Sequence, residues 1–89
     1  MVYLITYDLN RVGQDYSRLY NAIKQIGSYC HCLDSTWLVE TNLTSEQISS
    51  FLRQQIDYND HILIIRVMKD YQGWLPKDFW NWLDNANFS

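Results

Sequence analysis

The chain reads as a single α+β domain of the ferredoxin-like type, a βαββαβ sandwich carrying a C-terminal Trp-rich short helix and pairing as a homodimer. Three observations predict this. Eighty-nine residues leave room for one core only, because a chain of that size buries roughly 60–65% of its unfolded surface. Apolar runs rich in β-branched and aromatic side chains alternate with two amphipathic patterns in the order strand, helix, strand, strand, helix, strand. The last of those strands, and the aromatic tail behind it, are too apolar to be left without a cover. Residues 1–68 form the ferredoxin-like domain, and residues 69–89 an extension that packs on its own sheet or on a partner's.

The first strand is Val2-Tyr3-Leu4-Ile5-Thr6-Tyr7, apolar on both alternating faces and so expected in the middle of a sheet. It delivers Asp8 to its carboxyl end, a position where a side chain can be held tightly enough for a metal or phosphate site. The plainer role for such an Asp is to accept hydrogen bonds from backbone N–H groups of the following turn. A polar loop over residues 10–15 comes next, with Gly13 able to take a positive φ where the chain reverses. Tyr16, Leu19, Tyr20, Ile23 and Ile26 then fall at helical spacing, with Asp15 placed to cap the helix and Gly27 to end it. Arg11 and Arg18 flank the loop region and suit phosphate contacts, though solvated or Asp-paired arginines are the commoner case.

From Ser28 the helical period gives way to Tyr29-Cys30-His31-Cys32-Leu33 and, after Asp34-Ser35, to Thr36-Trp37-Leu38-Val39-Glu40-Thr41. These are two strands of a hairpin. Asp34-Ser35 is the tight turn, or else Ser35 and Thr36, entering the second strand, form a bulge that aims hydroxyls at a surface. Thr44 and Gln47 make a capping box and Leu43 with Ile48 a hydrophobic staple, so the second helix starts there and buries Ile48, Phe51, Leu52 and Ile56. Residues 57–60 end it, and residues 61–68 form a strand that needs cover on both faces. In a ferredoxin-like sheet this strand is the outer one, with a free edge. The tail is the natural cover: Pro76 opens a short helix with Phe79, Trp82 and Leu83 on one face and Trp80 on another. Docking of the tail on a second copy is favoured, since open face and open edge together exceed what about twenty residues hide.

Composition narrows function. The chain is 47% apolar and 16% aromatic, with four Trp and seven Tyr, more large rings than a small core easily hides, so some of them cover a partner. A net charge of −3 is the wrong sign for broad electrostatic binding of nucleic acid, so any such contact is local or metal-assisted. A strand starting at residue 2 leaves no place for an export signal, and no apolar run approaches the ~20 residues of a membrane span, so a cytoplasmic location without membrane contact is expected. Cys30-His31-Cys32 lacks a second cluster to complete four ligands, His61 being the other histidine, and reads as small buried hydrophobes.

These residues together resemble the CRISPR-associated protein two family and its relatives, the virulence-associated protein D ribonucleases. The resemblance rests on Tyr3-Leu4-Ile5-Thr6-Tyr7-Asp8, on residues 33–40 as hairpin and third strand, on Leu43-Thr44 entering the second helix, and on Asp60-His61-Ile62-Leu63-Ile64-Ile65. Over the whole length, Trp-rich end included, the chain is similar to short bacterial proteins of the SinR family. What the resemblance implies is a dimer in which Asp8 of each copy faces the other and ligates Mg²⁺ or Mn²⁺ for phosphodiester cleavage, with RNA or DNA as the substrate. Asp8 is then the catalytic and metal residue, with Arg11, Arg18, Ser35 and Thr36 on the nucleic acid. The chain departs from the family in its acidic balance and its Trp-bearing tail. The alternative is a non-catalytic dimeric module binding a protein or nucleic acid, a protein partner being met through the aromatic tail. A helix-turn-helix regulator is disfavoured, because a hairpin separates the two long helices.

Overall fold

The computed structural model describes residues 1–9 and 16–89. Arg11, Gly13 and Asp15, to which the sequence assigns roles, lie outside the described residues. The elements run β1 (Val2–Asp8), α1 (Ser17–Lys24), β2 (Ser28–Leu33), β3 (Thr36–Glu40), α2 (Ser45–Arg53), β4 (His61–Arg66) and α3 (Lys77–Asn85). The four strands form one antiparallel sheet in the order β2-β3-β1-β4. Element order and pairing are consistent with an α+β fold of the ferredoxin-like type. β1 lies between β3 and β4, as its two apolar faces require, and β4 is an edge.

Each face of the sheet has its own core. On one side Tyr3, Ile5 and Tyr7 of β1, with Trp37 and Val39 of β3, pack against Leu19, Ala22 and Ile23 of α1 and Ile48 and Leu52 of α2. On the other side Val2, Cys30 and Leu38 meet Leu83 of α3, while Leu4, Cys32, Tyr71, Phe79, Trp80 and Trp82 close around them. Full burial of one such aliphatic side chain contributes roughly 1.5–3 kcal/mol. Within the single chain the tail is therefore a second layer on its own sheet. Trp80 also finds cover there, because Tyr71 stacks on it with ring centroids 6.4 Å apart. The Trp82 indole N–H donates to Ser28 Oγ at 3.0 Å, tying α3 to the start of β2.

Local signals explain most of the boundaries. At the start of α2 the Gln47 side chain accepts from the Thr44 N–H at 2.9 Å and the Thr44 hydroxyl accepts from the Gln47 N–H at 3.2 Å, the expected capping box. Leu33 pairs with Thr36, leaving Asp34-Ser35 as a two-residue turn. The register shift lies between Cys30 and Leu33 of β2 instead of at Ser35-Thr36. The extra residue lets Cys32 and Leu33 both reach the tail side of the sheet.

Two features depart from expectation. Gly27 does not end α1, whose C-cap is Gln25 in right-handed helical conformation. Its role is close approach, for a Cβ there would sit 2.1 Å from the Glu40 carbonyl oxygen. Residues 61–68 are also less covered than predicted. Ile62 and Ile64 pack on the helix side, but Leu63 and Ile65 on the other side are 54% and 49% exposed. The tail crosses toward β2, which α3 contacts, and among the described residues nothing pairs with the outer edge of β4.

These contrasts predict opposite outcomes for one chemical change. Gly27→Ala forces β2 away from Glu40 and is expected to cost about 1–3 kcal/mol. Gly73→Ala, where an added Cβ meets nothing within 4 Å, is expected to be neutral or to stabilise by up to about 1 kcal/mol. Urea unfolding of the two variants beside the parent chain checks both.

Candidate functional site

The end of β1 is held from both sides. Tyr7 N–H donates to the Ser35 carbonyl at 3.1 Å, carrying the β1–β3 ladder into the hairpin turn. The Tyr7 hydroxyl donates to the Asp34 carbonyl at 3.2 Å and accepts from the Trp37 indole N–H at 3.1 Å. Trp37, 1% exposed, is stacked by His31 at 4.0 Å between centroids, with Tyr20 and Tyr29 tilted against it. His31 is fixed in turn by a hydrogen bond between Nε2 and the Asp34 carbonyl at 3.0 Å. This aromatic packing makes the carboxyl end of β1 a rigid platform. Burial, and secondarily a hydrogen bond with Tyr20, pushes the Tyr7 phenol well above its ordinary value.

Asp8 follows directly and is exposed. Its register partner on β4 is His61, and both line a shallow depression of about 240 Å³ with Thr6 and Leu63. Thr6 pairs with Thr36 of β3, their hydroxyl oxygens 3.3 Å apart. Among the described residues no hydrogen bond or ion pair engages the Asp8 carboxylate, and the turn whose N–H groups would cap it lies outside them. Through His61 and Ile62 the depression adjoins a larger one of about 450 Å³ that includes Ser49, Arg53 and Tyr58.

The residues singled out from the sequence are thus only partly brought together. Thr36 reaches the Asp8 side of the sheet by way of Thr6. Ser35 is exposed in the hairpin turn, its carbonyl taken by Tyr7. Arg18 points its guanidinium at the far end of α2, donating to the Gln54 carbonyl at 3.5 Å and Gln55 Oε1 at 3.4 Å, which helps join the two helices. Arg11 lies outside the described residues. Sequence reasoning missed Thr6 and His61 as neighbours of Asp8. The signal was available in the antiparallel pairing of β1 with β4, which sets the last residue of one against the first of the other.

Cys30 and Cys32 are free thiols on the tail side of the sheet. Burial foremost, then the nearby Cys32, pushes the Cys30 thiol up to about 12, and burial raises Cys32 as well. Such thiols are inert packing groups, as the sequence suggests.

Among the described residues no group of three His, Cys, Asp or Glu converges. Mg²⁺ needs fewer protein ligands, since it keeps several waters and takes one or two carboxylates plus phosphate oxygens. The exposed Asp8 with hydroxyls nearby fits that hard-oxygen chemistry where a second carboxylate comes from another copy. Fold and site together define a small α+β domain with one sheet face covered by helices, the other half covered by its own tail, and an exposed carboxylate at the rim. No protein-family model matches the chain, and a search of solved structures finds no match. Among the described residues no helix is long and apolar enough to cross a membrane.

Tyr7→Phe is expected to leave the buried Trp37 N–H unpaired and to cost about 1–3 kcal/mol in chemical denaturation. Alkaline solution provides a second check. Tyr7 and Cys30 hold their protons more tightly folded than unfolded, so the stability they contribute is intact below their ordinary values. It is lost as pH climbs from 9.0 toward about 12 for Cys30 and upward from 10.0 for Tyr7. Urea midpoints measured across that range should fall, with Cys30→Ala flattening the lower part of the decline.

Proposed function

We propose that the chain is a homodimeric nucleic-acid-associated protein resembling the CRISPR-associated protein two and SinR families, acting as a metal-dependent endonuclease, with RNA the favoured substrate. Two copies meet over the uncovered half of the sheet and the free edge of β4, bringing their Asp8 carboxylates to a shared cleft. Asp8 of each copy would hold Mg²⁺ or Mn²⁺, which activates water and neutralises charge developing on a phosphodiester. Thr6 and Thr36 supply neutral hydrogen-bond donors for phosphate oxygens, and Arg11 a local cation. The acidic chain would then engage nucleic acid through this cleft instead of a broad basic face.

The observation that carries this reading is the position of Asp8. It is exposed, at the carboxyl end of a strand fixed on both edges, and it borders the patch formed by Leu63. A second reading, a non-catalytic dimeric module, is favoured by the tie between Arg18 and α2, which turns that guanidinium away from Asp8.

The test is cleavage of single-stranded RNA and DNA by purified protein with Mg²⁺ or Mn²⁺. Asp8→Ala is expected to lower the rate at least about 100-fold with an unchanged circular dichroism spectrum, and chelation to abolish cleavage. Cleavage that persists in Asp8→Ala belongs to a contaminant and overturns the enzymatic reading. Absence of cleavage with either metal, while nucleic acid is still bound, establishes the non-catalytic module.

A further inference from the structure

Between the tail and the sheet lies a cavity of about 310 Å³ whose thirteen lining residues include no charged side chain. Leu4 and Leu38 form its floor on the sheet side, Leu75, Trp80 and Leu83 its wall on the tail side, and Trp74 stands at it while being 99% exposed. The Trp74 ring is left uncovered beside an apolar cavity, although an indole buries about 150–250 Å² when packed. The surroundings of the mouth are equally apolar. Leu33, which lines the cavity, is exposed, and so are Ile65 and Leu63, the register partners of Leu4 and Thr6 on β4.

We propose that two copies of the chain lock together here, each inserting Trp74 into the other's cavity. A twofold contact requires one patch to be complementary to itself, and a projecting ring adjacent to a cavity on the same face meets that requirement. A small ligand would fill the cavity but leave Leu33, Leu63 and Ile65 in water, whereas a second copy covers all of them. A stable interface covers roughly 800 Å² per partner, and Leu33, Leu63 and Trp74, each more than half exposed, supply the apolar centre of such an area. The lock deepens the dimeric reading above and rests on it, while being independent of whether Asp8 supports cleavage.

Sedimentation of the full chain over a concentration series tests the lock, with the fluorine spectrum of 5-fluorotryptophan protein reporting Trp74. Trp74→Ala removes a side chain that stabilises nothing in the isolated chain. At concentrations where both chains are monomeric its thermal midpoint should match the parent's, while the dimer dissociation constant rises at least about 30-fold, as for a hot-spot residue. Leu33→Arg at the mouth should weaken the dimer comparably, and Asp8→Ala should leave it intact. A parent dimer that Trp74→Ala does not weaken overturns the lock and leaves the shared Asp8 cleft standing. A parent chain that stays monomeric at about 1 mM overturns both, and binding of indole to that monomer assigns the cavity to a small aromatic ligand. A dimer that Trp74→Ala dissolves but that cleaves nothing supports the lock and overturns only the enzymatic reading.

Discussion

A strand that is apolar on both faces has to be covered twice, and β1 imposes that condition on the whole molecule. Val2 and Ile5 are fully buried although they point to opposite sides of the sheet. One side is served by α1 and α2, the ordinary second layer of an α+β sandwich. The other is served by the tail, with Leu83 seated among Val2, Cys30 and Leu38. The aromatic richness of residues 69–89 follows from this demand, since a short segment can cover a sheet only with large side chains. The cover is incomplete where the tail turns away from β4, and that incompleteness is the most informative feature of the surface.

Elements specified by neighbouring residues were legible in the sequence. The Thr44–Gln47 box, the central place of β1, the hairpin and the edge position of β4 all follow from patterns within a few residues or from the order of elements. What depended on contacts between distant residues was not. Gly27 sits where a helix-ending glycine is expected, and nothing local distinguishes that role from a close approach to Glu40. The destination of the tail and the exposure of Leu63 and Ile65 depend on how far a short segment reaches. Asp8 was visible as a well-placed carboxylate, but its neighbours Thr6 and His61 are set by strand register, and the direction of Arg18 by the packing of α1 on α2.

The site is chemically modest, and its reaction does not follow from its fold. An exposed carboxylate, an imidazole and two hydroxyls lie together at the end of a rigid strand, and in the proposed dimer they would form half of a composite centre. Their rigidity comes from the far side of the sheet, where Tyr7, Trp37 and His31 hold the hairpin against the end of β1. Such an arrangement places the candidate site on one face and its support on the other, so that changes at Asp8 and changes in the fold's stability draw on different residues.

The meeting of Val2 with Leu83 joins opposite ends of the chain. As the polypeptide leaves the ribosome, the four strands, α1 and α2 emerge before the segment that finishes the second core. A nascent intermediate therefore shows a bare apolar sheet face until α3 arrives. Chaperone capture, or premature association with a neighbouring nascent copy, would be concentrated in that interval.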